Sequence, residues 1–256
     1  PDQPPRLELE VMGTGDGYRT WSVDYRKFAG PVDDHHAGAW EAFHEWATET
    51  RLTYKRADGS PLSVDLVFID SGYLAEVVYG FCFGRGWKDA HPCKGVPQIV
   101  ADPARGEKAD SRRRFIPFRT LQVGGAAGDV LYEVNTQWYK TLLYGQLQRV
   151  PRQPVEPQRP GFCDFPADYD DEYFAQLTAE ELRSDGTFHK IRRNEALDTR
   201  VYAMCAADVF LSSIVQGLRN EAVSRGMSRQ NAEMRIRSRE ALEWLKARNT
   251  ARRSTS

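Results

Sequence analysis

The chain has 256 residues, 41% of them hydrophobic, with 35 Lys and Arg against 36 Asp and Glu. That is enough apolar chain for one large domain or two small ones. The formal net charge of −1 excludes a protein held to nucleic acid by bulk charge, so any such site must be a local patch.

In chain order, Pro1-Asp2-Gln3-Pro4-Pro5 leads directly into strand-like sequence, as expected of a domain cut from a longer protein. Leu7-Glu8-Leu9-Glu10-Val11 alternates apolar and charged residues, Gly13-Thr14-Gly15-Asp16-Gly17 reads as a turn, and Trp21-Ser22-Val23-Asp24-Tyr25 alternates again. This pattern predicts a β-hairpin. His35-His36 lacks a third ligand at metal spacing and reads as exposed loop. Residues 39–50 read as a helix with Trp40, Phe43 and Ala47 on one face. Asp58-Gly59-Ser60-Pro61 breaks the chain, and residues 62–69 read as a buried strand ending at Asp70. Residues 73–84 follow helical spacing through Leu74, Val77, Val78 and Phe81.

A short strand is expected at 91–95, and a charged loop at 101–114 that holds Arg112-Arg113-Arg114. A strand at 130–134 precedes a helix at 136–147. Pro151, Pro154, Pro157 and Pro160 rule out regular structure between 150 and 161. Residues 169–182 read as a short helix and 194–218 as a long one. No apolar run is expected to reach membrane-spanning length, and no signal peptide is visible. The cysteines Cys82, Cys93, Cys163 and Cys205 lack C-x-x-C spacing. They read as inert thiols in a reducing compartment rather than a zinc site.

Two carboxylates stand out. Glu195 and Asp198 lie three residues apart and share a face at the start of a helix whose later turns are apolar and small. A carboxylate facing a core needs a metal or an ionic partner; for Asp198 the alternative partner is Arg192 or Arg193. Asp70 ends a hydrophobic strand, with a helix cap as its alternative role. A carboxylate at a strand end and another on a late helix suit a two-metal phosphodiesterase centre. Early meander strands followed by β-α-β alternation are the plan of a ribonuclease H-like α/β domain, a mixed sheet flanked by helices. The expected domain spans residues 1–218. Residues 219–256 form an arginine-rich helical tail, read as a solvated helix or as a docking element.

Several segments together resemble a known family. They are Trp21-Ser22-Val23-Asp24-Tyr25, Ile69-Asp70-Ser71-Gly72 with Val78-Tyr79, Lys94-Gly95, Lys140, Pro160-Gly161-Phe162, Phe165-Pro166, Gln176-Leu177-Thr178-Ala179-Glu180 and Arg193-Asn194-Glu195-Ala196-Leu197-Asp198. In this order, over residues 6 to about 215, they resemble the C-terminal nuclease domain of the large terminase subunit of lambda-like tailed phages. The resemblance implies a ribonuclease H-like, Mg²⁺- or Mn²⁺-dependent endonuclease that cuts concatemeric viral DNA in the host cytoplasm. It implies as partners double-stranded DNA, the terminase small subunit, the portal of the procapsid and an ATPase domain of the same full-length protein, and no membrane. No Gly-x-x-x-x-Gly-Lys-[Ser/Thr] loop occurs here.

By this resemblance Asp70 and Asp198 bind the metals. The family's first-strand aspartate falls two residues before a glutamine, here Gln3, so Pro1 takes its place and the nearby Asp2 is the third candidate ligand. Lys94, Lys140, Arg192 and Arg193 are candidate DNA contacts, and Glu195 holds a metal-bound water or an arginine. Asn135 and Asp164 stand where relatives often carry aspartate and histidine. The rival reading is a catalytically silent scaffold that docks DNA or the portal.

Overall fold

The computed structural model describes residues 4–85, 87, 89–107, 114–126, 128–153 and 158–235. β1 (Arg6–Thr14) and β2 (Thr20–Ala29) form the expected antiparallel hairpin, with a register shift between Val11 and Met12. α1 (Gly38–Thr50) buries Ala39, Trp40, Phe43 and Ala47, the face its spacing predicts. The expected strand at 62–69 is two strands. β3 (Thr53–Lys55) and β4 (Pro61–Ser63) make a small hairpin around the Asp58-Gly59-Ser60 turn, and β5 (Val67–Asp70) starts after a break. Apolar content alone does not mark that break, because Val64 and Leu66 continue the hydrophobic run across it.

α2 (Ala75–Gly84) and β6 (Ala90–Val96) follow, then β7 (Phe118–Gln122), β8 (Val130–Asn135) and α3 (Thr136–Leu147). β9 (Cys163–Asp164) is a short strand. The helix expected at 169–182 is α4 (Asp171–Leu177), and Glu180 instead opens β10 (Glu180–Leu182), paired with β11 (Phe188–Lys190). α5 (Glu195–Ser224) runs past the expected end at 218, and α6 (Arg229–Arg235) packs against it.

Among the described residues the strands lie in separate sheets rather than in the single sheet expected of a ribonuclease H-like domain. A mixed sheet of order β5-β6-β8-β7 stands apart from a sheet of order β1-β2-β9. Within the larger sheet β5, β6 and β8 are parallel and β7 is antiparallel. Both sheets nonetheless share their covering helices. Leu7, Leu9 and Ile69 pack into a cluster built on Trp40, Phe43, Val78 and Phe81 of α1 and α2. Met12, Leu66 and Phe68 pack into the opposite cluster, around Leu197, Val201 and Cys205 of α5 and Tyr139 and Leu143 of α3. β1 and β5 therefore lie in one layer, with α1 and α2 on one side and α5 on the other.

By length and composition α5 could cross a membrane, which corrects the expectation that no such run exists. It is the core helix here, in contact with β1, β5, α3 and α4. Its mid-helix Arg200 is fully buried and ion-paired to Glu10 at 2.7 Å. All four cysteines are free and buried.

Candidate active site

Asp70 closes β5, and the backbone turns immediately after it. Gly72 N–H donates to Asp70 Oδ1 at 3.0 Å, and a β-carbon at position 72 would sit 3.3 Å from the same oxygen. The exposed surface of Asp70 faces a cleft of about 1890 Å³ that Asp198, Glu195 and Tyr202 also line. Burial in that cleft is the largest influence on its carboxyl and raises its pKa. The Gly72 amide, the Tyr202 hydroxyl and the Lys94 charge oppose the rise.

Asp198 sits in the first turn of α5. Burial pushes its pKa up to about 6; Lys140 opposes the rise, while Glu180 and Glu195 add to it. One helical turn later, the Tyr202 hydroxyl favours the charged form of Asp70 and opposes the rise in its pKa. Burial raises the pKa of that phenol, and the charges of both Asp70 and Asp198 add to the rise. A single hydroxyl therefore lies within electrostatic reach of the two carboxylates. Gly95 allows this approach, since a β-carbon there would meet Tyr202 Oη at 2.8 Å and Thr136 Cγ2 at 2.9 Å.

The expected basic contacts fall in different places. Lys94 is exposed beside Asp70, at the end of β6 where Cys93 is in register with Asp70. Arg192 is exposed. Arg193 reaches Glu8 at 2.5 Å and Glu195 at 3.6 Å. Lys140 is buried and turned inward. Its ammonium donates to both oxygens of Glu180 at 2.7 and 2.8 Å and lies 3.7 Å from Asp198 Oδ1. The ionic neighbour of Asp198 is thus Lys140 rather than Arg192 or Arg193.

Asp2 lies outside the described residues, as do Arg112 and Arg113; Arg114 is exposed. Asp24 accepts from Arg26 and Tyr54. Asn135 caps α3 through Trp138 N–H, and Asp164 forks onto Arg19 at 2.7 and 2.9 Å. His35 packs on Gly80 of α2.

Two site residues escape sequence reasoning about roles. Glu180 is buried and also accepts from Asn194 Nδ2 at 2.8 Å, tying the start of α5 to Lys140. The Asp185-Gly186 turn that reverses β10 into β11 is a hairpin signal that would have moved Glu180 from a helix to a strand. Tyr202 carried no signal beyond its spacing of four from Asp198.

Among the described residues no group of three His, Cys, Asp or Glu converges as a metal cluster. Asp70 and Asp198 still suit a hard divalent cation. Both are oxygen donors, Asp70 exposed and Asp198 half-buried, and such a cation keeps several waters beside one or two carboxylates.

The family model of the terminase large subunit gpA endonuclease domain matches residues 2–216, and the chain belongs to that family. Two similar curated proteins are the terminase large subunits of Escherichia phage lambda and Enterobacteria phage P21. The first is 28% identical over 219 residues, 81% of this chain and 31% of that protein. The second is 26% identical over 223 residues, 80% of this chain and 30% of that protein. The chain thus spans about a third of the length of these relatives. No solved structure matches it.

Proposed function

We propose that this chain is the metal-dependent endonuclease domain of a viral genome-packaging terminase, with a ribonuclease H-like plan, and that it cuts concatemeric double-stranded DNA. The observation that carries the reading is the shared cleft. Asp70 from a strand end and Asp198 from a late helix both line it, the carboxyl of each is raised in pKa, and one tyrosine hydroxyl answers to both. A pair of carboxylates with pKa values raised by burial is a site short of positive charge, which a divalent cation supplies.

Asp70 and Asp198 would hold Mg²⁺ or Mn²⁺, with Asp2 as a third donor. Bound there, the metal would lower the pKa of an attacking water and neutralise charge on the phosphate. The chain's own groups do the rest. The Gly72 amide fixes the orientation of Asp70, and the Tyr202 hydroxyl favours its charged form. Lys140, clamped by Glu180, restrains Asp198 and limits its affinity for protons. Lys94 and Arg192, both exposed, would meet backbone phosphates, which position DNA without reading sequence. Arg193 and Glu195 form an ion pair at the rim of the cleft that would orient a phosphate or a water.

In the full-length protein the ATPase domain, the small subunit and the portal would be partners in the host cytoplasm. The test combines Mn²⁺ binding by calorimetry with plasmid nicking in Asp70→Asn and Asp198→Asn. The reading expects loss of both in folded variants. Undiminished nicking in both variants would sink it. Unchanged metal binding without nicking in the parent chain would favour a silent docking module.

A further inference from the structure

The turn that Asp70 opens is pinned at every residue but one. Ser71 is buried, and its backbone N–H and its hydroxyl both donate to the Cys93 carbonyl at 2.8 Å, which ties the turn to β6. Gly72 N–H donates to Asp70. Leu74 is half-buried in a left-handed backbone conformation (φ 54°, ψ 49°), and its carbonyl accepts from Val77 and Val78 as α2 begins. Tyr73 stands between these anchors with 77% of its surface exposed, the most of any large hydrophobic side chain among the described residues. Its ring and hydroxyl have no partner among them.

A single hydrophobic side chain on a surface is ordinary and carries no meaning alone. Tyr73 differs in its position and its support. It lines the cleft that Asp70 and Asp198 share, on the same fixed turn as one of them. The left-handed conformation of Leu74 costs energy that glycine would avoid, and strain of this kind persists where the fold holds a neighbouring group in a set place. Lys94, exposed beside Asp70, supplies a charge for phosphate. An aromatic ring is the group that meets a base, and it does so in any sequence, because every base has a π-face.

We propose that the Tyr73 ring contacts a nucleobase beside the scissile phosphate, wedging into the duplex so that one base leaves its stack and packs on the phenol face. The contact seats the strand against Asp70 and Asp198 and reads no sequence. This inference rests on the reading of the cleft as a DNA-cutting site and adds to it a substrate contact made by a ring rather than by charge. Wedging costs unstacking, and the cost is least at a mismatched pair. The ring therefore favours DNA already loosened at one pair.

The experiment compares the 256-residue chain with Tyr73→Ser and Tyr73→Phe. Binding to a short fluorescent duplex, fully paired or with one central mismatch, is read by anisotropy in EDTA, and plasmid nicking is read in Mn²⁺. All three chains are expected to melt together, because position 73 is exposed. The parent is expected to bind the mismatched duplex at least about 5-fold more tightly than the paired one. Tyr73→Ser is expected to lose that preference and to bind the mismatched duplex at least about 5-fold more weakly than the parent, the lower end of what one base–aromatic stack supplies. Its kcat/KM for nicking should fall by a similar factor, with the salt dependence of binding unchanged, since no phosphate contact is lost. Tyr73→Phe keeps the ring and should keep the mismatch preference. Tyr73→Phe as weak as Tyr73→Ser would assign the effect to the hydroxyl and overturn the proposal. A shallower salt dependence in Tyr73→Ser, or three chains that bind the mismatched duplex alike, would overturn it too. A parent that shows the preference but does not nick would remove the nuclease reading while the base contact stands. A parent that nicks while all three chains bind alike would do the reverse, and a parent that binds neither duplex would overturn both.

Discussion

Lys140 Nζ lies 2.7 Å from Glu180 Oε1 and 3.7 Å from Asp198 Oδ1, so one buried ammonium serves a structural carboxylate and a candidate metal ligand together. Lys140→Met leaves Glu180 buried without its counter-charge, a loss of about 3–5 kcal/mol by analogy with other broken buried pairs. It also removes the charge that opposes the rise in Asp198's pKa. The acid limb of the pH–activity profile is therefore expected to move upward, which a merely structural defect would not produce. Denaturant titration reads the first effect and single-turnover nicking across pH 5–8 the second. An unmoved acid limb in a folded variant would show that Lys140 does not act through Asp198.

The pH dependence of metal-free stability follows from Asp198 itself, whose pKa rises from 3.8 to about 6. Below about pH 4 its carboxyl is protonated in both folded and unfolded chains and costs nothing. As pH rises from about 4 to 6 the unfolded chain releases a proton that the folded chain keeps, so stability falls, and above about 6 the full penalty remains. At 1.36 kcal/mol per unit the ceiling is roughly 3 kcal/mol. The side chain is 35% exposed, so screening brings the expectation to about 1 kcal/mol. Asp198→Asn should raise Tm in EDTA at pH 7.5 and not at pH 4. Saturating Mn²⁺ should raise the parent's Tm at pH 7.5 and leave the variant's unchanged.

Gly95 and Tyr202 form a steric pair. Gly95→Ala places a methyl 2.8 Å from the phenol oxygen and 2.9 Å from Thr136 Cγ2, and overpacking of this kind costs about 1–3 kcal/mol. Tyr202→Phe removes the hydroxyl that opposes the rise in Asp70's pKa. Because the phenylalanine lacks the clashing oxygen, the double variant should be less destabilised than the sum of the two. A double-mutant cycle by urea denaturation measures the coupling, and strict additivity would contradict the contact.

The buried pair Glu10–Arg200 is a second site where single and double changes should diverge. Arg200 is fully buried at 2.7 Å from Glu10, which also accepts from Ser22 at 2.8 Å and Tyr173 at 3.0 Å. Burial raises the pKa of Glu10, and Arg200 is the largest influence opposing the rise. Arg200→Met is expected to cost about 3–5 kcal/mol, and Arg200→Met with Glu10→Gln markedly less, because the second change removes the stranded charge. Equal losses in the two would show that packing of the arginine stem, not charge, sets the cost.

This pair also marks where the sequence stops being legible. Periodicity located the hairpin, the buried face of α1 and the strand end at Asp70, because each depends on neighbours within a few residues. It could not say that Arg200, mid-helix among small apolar residues, would point at Glu10, since that depends on how β1 and α5 pack. Lys140 misled in the same way: a lysine on a helix reads as solvent-facing until Glu180 arrives from a distant strand. β7 went unread because Phe118-Arg119-Thr120-Leu121-Gln122 is a half-polar strand that follows a charged loop.

The C-terminal boundary depends on packing of the same kind. The expected domain ends at Leu218, whereas α5 runs unbroken to Ser224 and α6 packs back on it. Ala232 on α6 is 1% exposed and Ile214 on α5 is 8% exposed. A chain ending at Leu218 loses α6 outright and uncovers part of the α5 surface beneath it. The expected loss is about 1–3 kcal/mol, the scale of exposing one or two such side chains. The Asp70–Asp198 cleft is lined by α5 residues no later than Leu211, so nicking should survive in the fraction that is folded. A chain ending at Arg235 should keep both stability and nicking. Thermal melting with nicking on the two truncations and the full chain checks this. If the chain ending at Leu218 melts like the full chain, α6 contributes nothing to the domain. If the chain ending at Arg235 loses nicking while its Tm is unchanged, residues beyond 235 take part in handling DNA.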